Sequence, residues 1–419
     1  MVKTVEYLII GGGVAGTTAA ETIRQKDSEG SITIISEESE PLYSRILLRE
    51  FLEDRLPLER LYLRTNEQYE EKIINLMGGV RANRLDAQHK IISLSSGEEI
   101  NYKKLLLSSG SKPEHLDTPG SDLEGVHYLR TLADAKKVKN QLGKTKNAVI
   151  VGGGFIGLDF VQIFRRAGLA TTCLLRGSHY WSRQVGEQIG QLINDILEEN
   201  GVKLIAKSQA REFIGKSSVE KIVLDNGQEV AADLVGIGVG VYPSLDYLGE
   251  SKIKINKGVF TNEYLETEAP DIWAAGDIAE FYDLVFSKHH KLGNWANSTI
   301  QGRTVGLNMV AGWGSDGGDD RQQFLTVSSY TMPIFGANLS LVGDTSADEE
   351  VEIIPRGVPT DKAFGNVSLR DGVVVGAVLL NRPADRLPIE ELIKKRVKIG
   401  SQKEKLADPK FNLRNLLES

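Results

Sequence analysis

One cysteine, Cys173, stands in 419 residues. A single thiol closes no internal disulfide and forms no dithiol redox pair, and a lone cysteine in the apolar run "TTCLL" reads as a buried hydrophobe. Positive charge is in deficit: 50 Lys and Arg face 57 Asp and Glu, for a net charge of −7. Nucleic-acid binders need clustered cations to neutralise phosphate, so that class is excluded. Histidine is scarce, at six residues. The adjacent pair His289-His290 points its rings apart on any regular element, and no other ligand set accompanies it, so no metal is assigned. No serine–histidine–acid grouping has supporting context, which excludes a hydrolase. No apolar run reaches the length of a bilayer span, and residues 1–6 lead into a strand rather than a signal peptide, so a cytoplasmic location is expected.

Glycine, by contrast, is plentiful at 43 residues, and it collects where a backbone turns tightly or approaches a ligand. Two clusters stand out: "YLIIGGGVAGTTA" begins at Tyr7 and "AVIVGGGFIGLDF" at Ala148. Each follows apolar, β-branched residues and opens a helical pattern. In the first unit, residues 5–10 read as a buried strand, 14–26 as a helix and 31–36 as a second strand. In the second, the same order falls at 147–151, 155–167 and 170–175. Residues 42–75 are helical in pattern and rich in charge, and 80–107 read as short strands with a turn at Gly97. A Pro/Gly loop at 113–120 marks a boundary. Strand-rich sequence runs to 243, strand and turn occupy 271–277, and 295–311 reads as helix. The Gly/Asp stretch 312–320 is a connector, and strands followed by a charged helix near 388–398 end the chain. Two to four domains are expected at this length.

Both clusters are Gly-x-Gly-x-x-Gly: Gly11, Gly13 and Gly16, then Gly152, Gly154 and Gly157. The first glycine makes the tight turn and the second admits a pyrophosphate against the backbone. The third lets helix and strand pack closely, while the helix N-terminus attracts negative charge. One such match is weak. Two, each between strand and helix and in register through Arg24 and Arg165, are far stronger. Glu37 ends the second strand of the first unit, where a carboxylate accepts hydrogen bonds from ribose hydroxyls. Two such units point to two dinucleotides, a flavin that stays bound and a nicotinamide that exchanges.

Further stretches carry a family likeness: "LLLSSGSKP" (105–113), "LRTLADA" (129–135), "GIGVGVYP" (236–243), "TNEYLETEAPDIWAAGDIAE" (261–280) and "NWANSTIQGRTVGLNMVAG" (294–312). With these, the sequence resembles the FAD-dependent pyridine nucleotide-disulfide oxidoreductases of the glutathione-reductase-like fold. The resemblance implies an α/β chain of two Rossmann-like dinucleotide-binding domains plus a small C-terminal α/β domain. On that plan 1–113 and 248–320 form the FAD-binding domain, 114–247 the NAD(P)-binding domain and 321–419 the C-terminal domain. It also implies FAD contacts at Gly11, Gly13, Ala15, Gly16, Glu37, Arg45, Val80, Ser109, Gly110, Gly276, Asp277 and Trp295. Nicotinamide-dinucleotide contacts are implied at Gly152, Gly154, Ile156, Gly157, Arg176 and Gly238.

The stretch "EESEPLYSRILLREFL" (37–52) selects a branch. Cysteine-dependent members carry a reactive cysteine where this chain has Tyr43-Ser44-Arg45. The Tyr-x-Arg pattern instead resembles ferredoxin reductases, rubredoxin reductases and the flavin portion of assimilatory nitrite reductases. Such reductases pair a lysine with a glutamate near the flavin. Here Glu50 holds the lysine's place and Asp159 the glutamate's, with Arg49 one residue away. Asp159 is expected to orient the nicotinamide amide or hold a cation. Phe155 reads either as a movable ring over the flavin or as an ordinary packing aromatic.

At the end of the second unit's second strand, Leu175 stands where NADH enzymes of the group carry an acid. Arg176 follows, with His179 and Arg183 in the next loop. A guanidinium without a competing carboxylate favours a 2′-phosphate, hence NADPH over NADH, and His179 reads as a solvent-facing loop residue. The expected activity is an FAD-dependent NAD(P)H oxidoreductase that passes electrons to a small acidic ferredoxin- or rubredoxin-like carrier, as a monomer or homodimer. Rivals are an oxidase or diaphorase acting on oxygen, quinone or a small molecule, and a redox-sensing flavoprotein. The basic run "LIKKRVKIGSQKEK" (392–405) either docks such a carrier or is a solvated face bridged to Glu390 and Glu391.

Overall fold

The computed structural model describes residues 3–182, 184–311, 320–346 and 350–418; Arg183 and all but the last residue of the 312–320 connector lie outside them. The chain forms two compact units. One holds Met1–Ile46, Pro57–Lys112 and Tyr242–Thr326, the other Leu47–Leu56, Pro113–Val241 and Val327–Ser419.

In the first unit, the strand Lys3–Ile10 lies between Ile32–Ser36 and Glu99–Leu107, with Ile74–Gly78 beyond the former, all parallel. The hairpin Ala82–Asp86 and Ile91–Leu94 and the short strand Ile272–Ala274 extend the Glu99–Leu107 edge. Every residue of Ile32–Ser36 is buried, as expected of a parallel strand covered on both faces. The helix Val14–Lys26 packs against the helix Trp295–Val310. A side chain at Gly302 would fall 2.3 Å from the Ala15 carbonyl oxygen, so this approach depends on glycine.

The second unit repeats that order. Asn147–Val151 lies between Ala170–Leu174 and Leu234–Ile237, with Val202–Ile205 and Val126–Tyr128 at the edges, all parallel. Its fingerprint helix is Phe155–Arg166. Residues beyond 327 add a five-stranded antiparallel sheet and the helix Pro383–Lys394. Arg356, 1% exposed, anchors the tail. Its guanidinium donates to Asp385 at 2.9 and 3.0 Å and to the carbonyls of Leu406 and Phe411.

Two expectations change. The charged stretch 42–75 is not one helix but Leu48–Leu52, a 3₁₀ turn Leu58–Leu61, and Asn66–Glu71. Pro57 cannot donate to a continuing helix, and Thr65 with Gln68 starts a new one through a capping box. The terminal helix begins at Pro383, where a missing N–H costs nothing, and Arg396 follows it at φ +51°. The helix Leu48–Leu52 belongs to the second unit. Lys139 donates to the Phe51 carbonyl at 2.7 Å and pairs with Asp54 at 2.7 Å, and Arg166 donates to the Glu53 carbonyl. Among the described residues no helix is long and apolar enough to cross a membrane.

Candidate functional site

The two glycine turns are built alike. Gly11 has φ +115° and Gly152 φ +116°, a region that side-chain-bearing residues rarely enter. A Cβ at Gly11 would lie 2.1 Å from the Ser108 carbonyl oxygen, and one at Gly152 2.2 Å from that of Gly238. Gly16 and Gly157 likewise crowd the carbonyls of Gly11 and Gly152 at 2.0 and 2.2 Å. Farther along each helix, Arg24 closes the unit by donating to the carbonyls of Asp27, Gly30 and Lys72. Arg165 does the same with Leu169 and Asn200.

In the first unit, Gly13 caps the helix Val14–Lys26 without a side-chain cap, and nothing lies within 4 Å of where its Cβ would be. Open space in front of unsatisfied helical N–H groups is an anion cradle. Beside it is a cavity of about 190 Å³ lined by Gly11, Glu37, Val80, Ser109, Lys112 and Tyr247, among others. Ser109 donates to the Ser244 carbonyl at 2.8 Å, and Gly110, at φ +73°, accepts from the Ser244 amide. Arg45 pairs with Glu38 and donates to the Tyr43 hydroxyl at 2.9 Å. Asp277 follows Gly276, which has φ +80°, and accepts from Ser111 Oγ at 2.6 Å. The Gly276 amide donates to Gln301 Oε1 at 2.7 Å. Gln301 is fully buried, yet its Nε2 has no partner among the described residues, nor has the Asn297 Oδ1 one turn earlier. Buried polar atoms are rarely left so. The cradle, the ribose-side carboxylate and these orphaned atoms fit a flavin dinucleotide. Trp295 opens the same helix, half-buried. Ser111 and Gln301 were not legible as site residues. Their only signals were a serine directly after "SSG" and a glutamine one turn beyond "NWAN".

In the second unit, Gly154 is an uncapped helix start with open space beside it. Gly238 lets the neighbouring strand end approach, since its Cβ would fall 2.8 Å from the Gly157 nitrogen and 3.2 Å from Ile156. The Gly11 amide donates to Ile35 at 2.8 Å and the Gly152 amide to Leu174 at 3.2 Å. Counting on from those carbonyls, Leu175 stands at the place of Ser36 and Arg176 at that of Glu37. Leu175 is buried over the glycine turn. Arg176 is exposed and makes no ion pair among the described residues. His179 does not face solvent as expected: it is half-buried, its ring fills the space that Gly190 leaves, and its Nδ1 meets Ser178 Oγ at 3.1 Å.

Asp159 occupies on its helix the place that Thr18 holds on the first. Its nearest cation is Arg49, 3.4 Å away. Arg49 is 8% exposed and also meets Glu50 at 3.2 Å and Glu53 at 3.8 Å, while Arg55 pairs with both glutamates. Arg49, rather than residue 50, therefore supplies the cation facing Asp159. Burial pushes the Asp159 carboxyl up to about 7, Arg49 opposing and Glu50 and Glu53 adding to the rise. Phe155 meets the Trp181 ring at 4.0 Å and the Tyr330 ring at 4.9 Å, both edge-on. Cys173 is buried, with its thiol pushed up to about 12, and takes no part as a thiolate. Among the described residues no cluster of three or more His, Cys, Asp or Glu is placed to hold a metal.

Comparison with known proteins agrees with this geometry. A pyridine nucleotide-disulphide oxidoreductase family model matches residues 5–302, and a reductase C-terminal model matches 334–417. The chain is 28% identical over 412 residues to the biphenyl dioxygenase system ferredoxin–NAD(+) reductase component of Paraburkholderia xenovorans, covering 98% of each. It is 28% identical over 397 residues to a nitrite reductase (NAD(P)H) of Bacillus subtilis, covering 94% of this chain but only 48% of that protein. The solved covalent putidaredoxin reductase–putidaredoxin complex matches with a TM-score of 0.90 at 24% identity, over 99% of this chain and 98% of that one, which shows the fold.

Proposed function

The chain belongs to the pyridine nucleotide-disulphide oxidoreductase family, and on that premise we propose that it takes hydride from NADPH and passes single electrons to a small acidic ferredoxin- or rubredoxin-like carrier. As a member of the family it is an FAD-dependent NAD(P)H oxidoreductase. The observation that carries the proposal is the paired turns with opposite charges at matching positions, Glu37 in one and Arg176 in the other. Bound FAD supplies what no side chain offers, accepting a hydride and releasing electrons one at a time.

The chain's own residues bind and orient. Gly13 and the first helical amides receive the FAD pyrophosphate, Glu37 the adenosine ribose, and Val80 flanks the adenine end. Asp277, held by Ser111, and Arg45, held by Glu38, position the ribityl and phosphate portions. Gly154 and its amides receive the nicotinamide pyrophosphate, and Arg176 meets a 2′-phosphate by charge-assisted hydrogen bonds. Asp159 steadies Arg49. It carries a proton part of the time near neutral pH, so it offers a carboxamide both a donor and an acceptor. Phe155 stands at the helix start, on the nucleotide's approach. Lys394, Lys395, Arg396 and Lys398 are exposed and make no ion pair among the described residues, and Glu390 is taken by Arg386. That leaves a positive face for an acidic carrier. We read the chain as an FAD-binding domain interrupted by an NAD(P)-binding domain, with a C-terminal domain after it.

Anaerobic stopped-flow reduction with NADPH and NADH in parallel tests the donor. The reduced enzyme is then mixed with a ferredoxin, a rubredoxin and air. Reduction at least tenfold faster with NADPH, then oxidation faster by a carrier than by air, is expected. Air oxidation as fast as any carrier overturns the acceptor, and faster reduction by NADH overturns the donor.

A further inference from the structure

Tyr69, on the short helix Asn66–Glu71 of the first unit, is 3% exposed. A buried phenol needs partners for its hydroxyl, and this one finds two, from distant parts of the chain. The Leu42 amide donates to it, and Thr17 Oγ1, buried on the helix Val14–Lys26, lies 2.9 Å away. Thr17 in turn donates to the Gly12 carbonyl at 3.3 Å. A hydroxyl has one hydrogen, and that of Thr17 goes to Gly12, so Tyr69 donates to Thr17. The bonds therefore run one way, from the Leu42 amide through Tyr69 and Thr17 to the Gly12 carbonyl. Both ends lie in segments read as holding FAD. Gly12 is inside the glycine turn, between Gly11 and Gly13. Leu42 opens the loop that carries Tyr43 and Arg45, and its carbonyl accepts from the Leu63 and Arg64 amides. The second turn lacks this link. Leu158 stands at the place of Thr17, and Tyr180 donates straight to the Gly154 carbonyl at 3.0 Å.

We propose that Tyr69 is a positioning residue for FAD, its hydroxyl setting the glycine turn and the Arg45 loop at the flavin-binding spacing before the flavin arrives. The inference rests on reading the Gly11 turn and Arg45 as flavin contacts. With the link in place, binding starts from a formed site. Without it, part of the flavin-free protein leaves that arrangement, and affinity falls by the fraction lost. Removing the hydroxyl strips a partner from a buried amide on one side and from Thr17 on the other, enough to change affinity about tenfold. The short helix stays docked meanwhile. Glu21, one turn along from Thr17, pairs with Arg64 at 2.7 Å and with Lys72, which flank that helix at its two ends.

The test dilutes the FAD-loaded full chain stepwise and measures free FAD in the filtrate to give the Kd. Tyr69→Phe and Thr17→Val should each raise that Kd about tenfold. The double variant should raise it no further, because both changes break one line of bonds. Thr17→Ser, which keeps the hydroxyl, should return the wild-type Kd. The two single variants sit on different elements, so either suffices if the other fails to fold. Urea midpoints in excess FAD separate positioning from bulk stability. A midpoint that falls while the Kd stays at the wild-type value overturns the proposal. So does a double variant near a hundredfold, or a Thr17→Ser as weak as Thr17→Val. Failure of the flavin-site reading looks different: the wild-type chain itself retains no FAD.

Discussion

Past the first glycine turn the chain runs Ser36-Glu37; past the second it runs Leu175-Arg176. The turns themselves are nearly superposable in their chemistry. Both first glycines sit near φ +115°, both face a carbonyl closer than 2.3 Å to any added side chain, and both units are closed by an arginine on the fingerprint helix. The duplicated part is what backbone geometry dictates. The divergent part is the charge beside each turn: the Glu37 carboxylate on one side and, on the other, the Arg176 guanidinium, which makes no ion pair among the described residues. The helix starts diverge too, Val14 and Thr18 answering to Phe155 and Asp159. On the proposed reading, the first turn retains a dinucleotide and the second admits and releases one.

The sharpest way to break this comparison is to spoil each turn in turn. Gly11→Ala forces a methyl into the Ser108 carbonyl, and Gly152→Ala into that of Gly238. Each should cost about 3 kcal/mol or more, over a hundredfold in binding. Gly11→Ala should purify without flavin absorbance. Gly152→Ala should stay yellow but resist reduction by NADPH. If both lose flavin equally, the division of labour is wrong.

Arg176→Glu comes next. Losing two charge-assisted bonds and gaining a repulsive carboxylate should shift the NADPH/NADH ratio of kcat/KM by about a hundredfold toward NADH. Steady-state kinetics with both donors checks it, and Glu37→Ala should instead weaken flavin retention with the ratio unchanged.

A smaller effect concerns Asp159. Burial pushes its carboxyl up from an ordinary 3.8 to about 7, so the folded state binds a proton more readily than the unfolded. Stability from that difference is fully present below about pH 4 and is lost as pH rises through 7. Asp159→Asn, which leaves Arg49 its two glutamates, should therefore gain roughly 1–2 kcal/mol over wild type at pH 8 and little at pH 4. Denaturant melts at the two pH values check the sign.

The smallest effect is the one that should be equal. Arg24→Ala and Arg165→Ala each strip charged donors from loop carbonyls, and each should cost about 1–2 kcal/mol in urea unfolding without altering the NADPH/NADH ratio.

What could be read in advance follows from how far each signal reaches along the chain. The glycine turns were legible because a φ near +115° and a carbonyl within 2.3 Å admit only glycine, a demand written into six consecutive residues. The parallel strands were legible because strands covered on both faces are apolar throughout. The Arg49–Asp159 pair was half legible. The sequence marked both residues, but 110 positions separate them and only the fold brings them to 3.4 Å. Residues 42–75 were legible as helical but not in their breaks, because charge spacing suits several short helices as well as one long one, and Pro57 with the Thr65 cap places the divisions. Tyr330 left no trace: a lone tyrosine in an alternating strand looks like any other until its neighbour is known.

The short helix Leu48–Leu52 has a practical bearing on any exchange of parts between relatives. The chain passes between its units at five places, after Ile46, Leu56, Lys112, Val241 and Thr326. Swapping 113–241 alone would import a new fingerprint helix while leaving behind Arg49, Glu50 and Glu53, the residues that set the charge around Asp159. The incoming acid would then face a foreign cation, or none. The second unit is therefore a three-piece cassette, and its ten-residue fragment at 47–56 must travel with 113–241 and with the segment from Val327, whose Tyr330 and Phe335 meet the same helix.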